Sequence, residues 1–190
     1  LRMSPKDTMS TCQKLYEGGY ITYMRTDSTT YSKEFLENAS PFIQETYGDN
    51  YVREDLLTLG ERKEEKKKGK KPKKSKKEEP AAQEAHEAIR PTDIKCEEVK
   101  EEMNNYEKKL YKLIRRNTLE SCMAPATYKA LTASISAPEH TYKYSTEQIV
   151  FPGWKIVGGY EAENADFAYL QTIKNGSNIN YKKITSKVSL

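Results

Sequence analysis

Between Glu61 and Glu79 the chain carries ten lysines and one arginine against five glutamates, with no apolar residue among them and Pro80 just beyond. A stretch that has nothing to bury cannot offset the entropy of ordering its backbone. Gly60 to about Ala82 is therefore expected to be a disordered, lysine-rich insertion in a surface loop, with folded sequence on both sides. A nonspecific DNA tether and a nuclear-import tag are two readings of such a run. A tolerated solvated loop is the plainer one, because the cost of closing a loop grows slowly with its length. The run also changes what the charge means: the net +4 of the whole chain, less the +6 of this segment, leaves −2 for the rest. Bulk charge therefore carries no nucleic-acid claim for the folded part, and any phosphate contacts must come from a few placed residues.

The 190 residues suffice for one ordinary domain or two small ones. A mean hydropathy of −0.90 is polar for a single globule. The apolar runs are too short to span a bilayer, and Leu1 to Ser10 has neither a basic start nor an apolar stretch of the secretory kind. The first residue is Leu rather than Met, so the chain reads as a fragment. Cys12, Cys96 and Cys122 are odd in number, far apart and without CxxC spacing. They argue for a reducing compartment and small buried thiols rather than a zinc or disulfide framework.

Ser4-Pro5-Lys6-Asp7 reads as a helix start, with a side-chain cap, proline at the first helical position and an acid in the first turn. Met9, Cys12, Leu15 and Tyr16 follow at helical spacing, and Gly18-Gly19 closes the helix. Tyr20 to Thr26 is aromatic and β-branched, hence extended. A second helix is expected after Ser32, with Phe35, Leu36 and Ala39 on one face, and Pro41 either kinks it or opens another. Beyond the insertion, a short helix near Glu97 to Met103 and a longer one near Tyr106 to Met123 are expected. The longer helix would present a stripe of Leu110, Leu113, Ile114 and Asn117 and end at Pro125. From Ala126 the period changes to two, over Tyr128 to Ser136 and Tyr142 to Val150, with Pro152-Gly153 and Gly158-Gly159 as punctuation. The fold class is α+β: a mainly helical domain over 1–125, then a smaller β-rich segment over 126–190.

Chemistry concentrates in Gly19-Tyr20-Ile21-Thr22-Tyr23-Met24-Arg25-Thr26-Asp27-Ser28. In extended backbone Tyr23, Arg25 and Asp27 share one side. A phenol, a guanidinium and a carboxylate are a costly set to bury for packing alone, but they suit phosphoryl transfer. A tyrosine oxygen can attack a DNA phosphate and store the bond energy in a phosphotyrosyl ester, so that resealing requires no ATP. An adjacent guanidinium can fork onto the non-bridging oxygens where charge develops. With fourteen tyrosines in the chain, residue chemistry alone does not single out Tyr23. A second cluster, Glu84-Ala85-His86-Glu87-Ala88-Ile89-Arg90-Pro91-Thr92-Asp93, places His86 and Arg90 four apart. They share a face if the stretch is helical, and Pro91 must end that turn.

YITYMRTDS followed by HEAIRPTD resembles the paired motifs of bacterial-type topoisomerase I, the type IA enzymes. The likeness extends through the Ser4–Gly19 helix, KLYKLIRRNTLESCMAPATY and Phe151-Pro152-Gly153-Trp154, and thus over most of the chain except the lysine insertion. The resemblance implies that Tyr23 is the nucleophile that becomes linked to a 5′ phosphate. It implies that Arg25 positions that phosphate and stabilises the developing charge, and that His86 lies near it. Arg90 is implied as a phosphate or structural contact, and Thr22 and Asp27 as makers of supporting hydrogen bonds only. Magnesium is implied as the cofactor, bound by an acidic TOPRIM domain that this stretch does not contain, with no metal ligand in the chain itself. DNA, single-stranded or negatively supercoiled, and that TOPRIM domain are the implied partners, and a cytoplasmic, nucleoid-associated location follows, with nuclear or organellar sites left open. The segment after Pro125 corresponds to half of a β-rich arch or gate. Isolated, the chain is expected to be inactive. Two alternatives stand beside this reading. One is topoisomerase III or reverse gyrase, against which Met24 before Arg25 and the absence of a helicase-like module speak. The other is a noncatalytic helical module that grips DNA without cutting it.

Overall fold

The computed structural model describes residues 1–61 and 87–180. Beyond Glu61, the lysine-rich insertion expected over 60–82 lies outside the described residues, as does His86. Helix α1, Pro5–Glu17, begins as its sequence dictates: the Ser4 hydroxyl oxygen accepts from the Asp7 N–H at 3.1 Å, Pro5 opens the first turn and Asp7 meets the positive end of the helix dipole. At the other end the Gly19 N–H donates to the Tyr16 carbonyl and the Tyr20 N–H to the Leu15 carbonyl, both at 2.9 Å. Gly19 takes φ 75°, a left-handed conformation that lets the chain fold back on the helix end.

Helix α2, Lys33–Tyr47, is capped by Ser32 and runs unbroken through Pro41. Proline removes the hydrogen bond to the Glu37 carbonyl, and both Pro41 and Glu37 are exposed, so water can take its place. Helix α3, Asn105–Cys122, opens with a capping box in which Asn104 accepts from the Glu107 N–H and Glu107 accepts from the Asn104 N–H. Its buried face is rotated from the expected stripe: Leu110, Tyr111, Thr118, Leu119 and Cys122 are buried, whereas Leu113 is 42% exposed and Asn117 is exposed. Two polar groups on that face are inexpensive to bury because each has a partner. The Tyr111 hydroxyl donates to the Cys96 carbonyl at 2.7 Å and the Thr118 hydroxyl to the Ile114 carbonyl at 2.9 Å. The helix expected over 97–103 is absent; turns take its place and bury Val99.

These elements enclose two apolar clusters. Phe35, Leu36, Ala39 and Ile43 of α2 meet Leu119 and Cys122 of α3 together with Leu56 and Ile94. Cys12 and Leu15 of α1 meet Leu110 and Tyr111 of α3 together with Ile21 and Val99. Burial pushes the Cys12 thiol up and the Cys122 thiol up to about 11, so both are packing groups, whereas Cys96 is only partly buried.

The extended stretch after α1 is held by residues 88–92 rather than by a strand of its own. Ile21 and Pro91 form an isolated antiparallel bridge. The Thr22 N–H donates to the Arg90 carbonyl at 2.9 Å, and the Thr92 N–H to the Tyr20 carbonyl at 3.0 Å. Next to this bridge the Ala88 N–H donates to the Thr30 carbonyl at 2.8 Å. The described residues of the second motif, 87–93, are not helical, and the expected shared face of His86 and Arg90 lies outside the described residues. Arg90 turns inward, forking onto the Glu87 carboxylate at 2.6 and 2.9 Å and lying 4.3 Å from the centre of the Phe35 ring. The Ser32 N–H donates to the same carboxylate at 2.7 Å.

The described residues fall into two compact units, one within Leu1–Ala126 and Pro152–Tyr160, the other within Thr127–Phe151 and the described residues from Glu161 on. A single cut after residue 125 thus does not describe the chain, because the segment after β2 returns to the helical unit. There the Trp154 N–H donates to the Ala124 carbonyl at 2.9 Å. In the second unit β1, Thr127–Ser136, pairs antiparallel with β2, Thr141–Phe151, in a register that sets Leu131 opposite Thr146. Helix α4, Ala165–Thr172, was not legible in the sequence, since Phe167 is its one buried residue and no helical period shows. Asn164 caps it and donates to the Glu147 carbonyl at 2.9 Å, which ties the helix to β2.

Two outcomes follow. Gly153 has φ 50°, and a Cβ there would overlap the carbonyl oxygens of Ala124 and Pro125, so Gly153→Ala should destabilise the helical unit by about 3 kcal/mol in denaturant unfolding. Burial raises the Glu87 carboxyl, but hydrogen bonds from Arg90 and the Ser32 N–H outweigh it and hold the group below the ordinary carboxylate range. Its contribution is complete above that range and lost as the pH falls through the lowered value. The melting-temperature difference between the unsubstituted protein and Glu87→Gln should therefore be large near neutral pH and shrink on acidification to about pH 3.

Candidate active site

Tyr23 sits one residue beyond the bridge that fixes Ile21 and Thr22. Exposure then alternates along the extended chain: Ile21 is 1% exposed, Thr22 and Met24 are half-buried, and Tyr23 and Arg25 are exposed. Ile21 packs into the cluster beneath α1, and Met24 lies against the same cluster. The alternation runs from Thr22 to Arg25 only; Ile21 has the parity of Tyr23, and the bend at Thr22, not a period of two, separates the buried Ile21 from the Tyr23 phenol, which is 43% exposed. Its ring meets that of Tyr16, in the last turn of α1, edge to face, with centroids 5.2 Å apart and planes at 66°. The sequence reading put Tyr16 on the apolar stripe of α1, but Tyr16 and Met9 are exposed and the buried face is Thr11, Cys12 and Leu15.

Arg25 and Asp27 are likewise exposed and form an ion pair at 3.6 Å. Thr22 is fully engaged: its hydroxyl donates to the Ala88 carbonyl at 2.8 Å and accepts from the Arg90 N–H at 3.0 Å. Together with the backbone bonds of the bridge, this threonine locks the register between the two motifs, which are 68 residues apart. Arg90, whose side chain is 12% exposed, is held by Glu87, by the Pro91 carbonyl at 2.9 Å and by the Phe35 ring, so it braces the motif from inside. A cavity of about 350 Å³ opens beside it, lined in part by Ser32, Asn38 and Lys95, and Tyr23, Arg25 and Asp27 do not border it.

Sequence reasoning overlooked Glu87 and Ser32, the partners of Arg90, although the i, i+3 spacing of Glu87 and Arg90 was a signal for the first of them. It also overlooked Tyr16 as a neighbour of Tyr23. Among the described residues no group of three or more His, Cys, Asp or Glu side chains is arranged to hold a metal ion, so the magnesium implied by the motifs finds no ligand set in them.

The chain's likeness to known proteins agrees with this arrangement of motifs. A model of the DNA topoisomerase family matches residues 1–189. DNA topoisomerase 1 of Buchnera aphidicola is 36% identical over 186 residues, which cover 97% of this chain and 19% of that protein. DNA topoisomerase 1 of Vibrio cholerae is 36% identical over 183 residues, covering 96% of this chain and 19% of that protein. The solved structure of full-length topoisomerase I from Thermotoga maritima superposes with a TM-score of 0.64 at 28% identity, over 96% of this chain and 26% of that one. The chain spans about a fifth of the length of the curated relatives it matches. With a family match along nearly its whole length and both motifs clasped at one site, the chain belongs to the DNA topoisomerase family, corresponding to part of a bacterial-type topoisomerase I.

Proposed function

We propose that this chain is the tyrosine-bearing portion of a type IA DNA topoisomerase and that Tyr23 cuts one DNA strand. The observation that carries the reading is the exposed Tyr23 phenol on backbone locked by Thr22 to the second motif, with Arg25 two residues on. The phenol oxygen attacks a backbone phosphate and forms a 5′-phosphotyrosyl ester. The bond to the 3′ oxygen breaks, and the departing oxygen takes up a proton as a free 3′ hydroxyl. Attack by that hydroxyl on the ester reverses the exchange, restores the phenol and reseals the strand, so no ATP is consumed. Between the two steps a second strand passes through the gap, and negatively supercoiled DNA relaxes.

Arg25 is assigned to fork onto the non-bridging oxygens, and its exposed ion pair with Asp27, at 3.6 Å, is of the weak kind that a phosphate can displace. His86 is assigned a place near the same phosphate from its motif alone. Arg90, satisfied internally, is assigned a bracing role, and Thr22 and Asp27 support the nucleophile's segment. Magnesium, held by the TOPRIM-bearing part of the larger enzyme, would supply charge neutralisation at the phosphate. Single-stranded or underwound DNA is the substrate, because the attacked strand must thread past an exposed tyrosine unpaired, and the location is that of the nucleoid.

The test supplies the full-length enzyme with magnesium and an end-labelled single-stranded oligonucleotide, then traps and maps the covalent adduct. The expected adduct is on Tyr23 through a 5′ phosphate, absent in Tyr23→Phe and formed about a hundredfold more slowly in Arg25→Ala. Binding without any adduct would replace this reading with that of a noncatalytic DNA-gripping module.

A further inference from the structure

We propose that Tyr16 is a positioning residue for Tyr23, a ring wall that holds the attacking phenol at its working angle. This rests on the assignment of Tyr23 as the nucleophile. Tyr23 is 43% exposed, and attack on phosphorus requires its oxygen to dwell within about 3 to 3.5 Å of the target and in line with the leaving group. The edge-to-face contact with Tyr16, at 5.2 Å and 66°, sets the angle of the ring on one side.

The contact is set by backbone fixed on both sides. Cys12 and Leu15, buried at 5% and 0% exposure, fix the rotation of α1 and with it the direction of Tyr16. The Tyr16 carbonyl accepts the Gly19 N–H that closes the helix, and the left-handed Gly19 turns the chain back toward the helix. Ile21, buried in the same cluster, and Thr22, clasped by Ala88 and Arg90, then deliver Tyr23 beside Tyr16. Tyr16 is itself 41% exposed, and neither ring belongs to an apolar cluster. Core packing does not account for the pair, whereas holding a reactive phenol does. The ring is what the contact uses, so the Tyr16 hydroxyl is dispensable.

The experiment measures single-turnover formation of the covalent adduct by the full-length enzyme with magnesium and a single-stranded oligonucleotide, alongside oligonucleotide affinity and melting temperature. Tyr16→Leu keeps apolar bulk but removes the ring, and should form the adduct about tenfold more slowly with affinity and melting temperature unchanged. Tyr16→Phe restores the ring and should react within about twofold of the unsubstituted rate. A Tyr16→Leu rate equal to the unsubstituted one, a Tyr16→Phe rate as low as that of Tyr16→Leu, or a loss that tracks affinity or melting temperature would overturn the positioning role alone. An adduct that persists in Tyr23→Phe, or no adduct in the unsubstituted enzyme, would overturn the nucleophile assignment and this proposal with it.

Discussion

Everything at the site depends on how Thr22 is bound. Its amide donates to the Arg90 carbonyl, its hydroxyl donates to the Ala88 carbonyl, and the same hydroxyl accepts the Arg90 amide. Each bond contributes about 1 kcal/mol, but their main effect is on register. In extended backbone a slip of one residue exchanges the two faces, which would turn Tyr23 and Arg25 to the side now taken by the half-buried Thr22 and Met24. The hydroxyl that bonds both ways across the gap makes such a slip costly, because it would strand polar groups that are now partly buried. A valine at this position would keep the shape and lose the register lock.

That clasp also explains how a long lysine-rich run can separate the two motifs without penalty to the site. The chain is fastened before the run, where the Tyr31 N–H donates to the Leu59 carbonyl, and after it, where Glu87 takes the Ser32 N–H and the Ala88 N–H donates to Thr30. With residues on both sides of the run fixed to the same neighbourhood, the two motifs meet although 68 residues separate Thr22 from Arg90. Motif spacing in the sequence is therefore a poor guide to their distance in space.

What could be read in advance was local. The cap of α1, the start of α2 after Ser32, the Gly18-Gly19 stop and the change to period two from Ala126 are decided by residues within a few positions of one another. What could not be read was set by tertiary partners. The buried face of α3 includes Tyr111, whose hydroxyl is satisfied by the Cys96 carbonyl outside the helix, and no periodicity of apolar residues reveals this. The turns over 97–103 carry four glutamates and one lysine, good helix formers, but Val99 is packed into the cluster around Leu110. Helix α4 is fixed by the Asn164 side chain reaching β2, a contact that no local pattern encodes. At the site, the motif residues themselves were visible, whereas Glu87, Ser32 and Tyr16 become significant only through what they touch.

The two motif arginines show why burial, rather than identity, sorts their roles. Arg90 has a side chain 12% exposed and gives its donors to Glu87 and the Pro91 carbonyl. Redirecting it to a phosphate would leave the Glu87 charge half-buried and unpaired, a cost of several kcal/mol. Arg25 has a side chain 57% exposed and an ion pair with Asp27 at 3.6 Å, of the kind that contributes at most about 1 kcal/mol. A doubly contacted phosphate oxygen pair competes with that easily. A chain meant to grip DNA only by charge would expose both guanidiniums. Here one is committed to holding the second motif against the first, and the other is exposed two residues beyond the tyrosine, paired with Asp27.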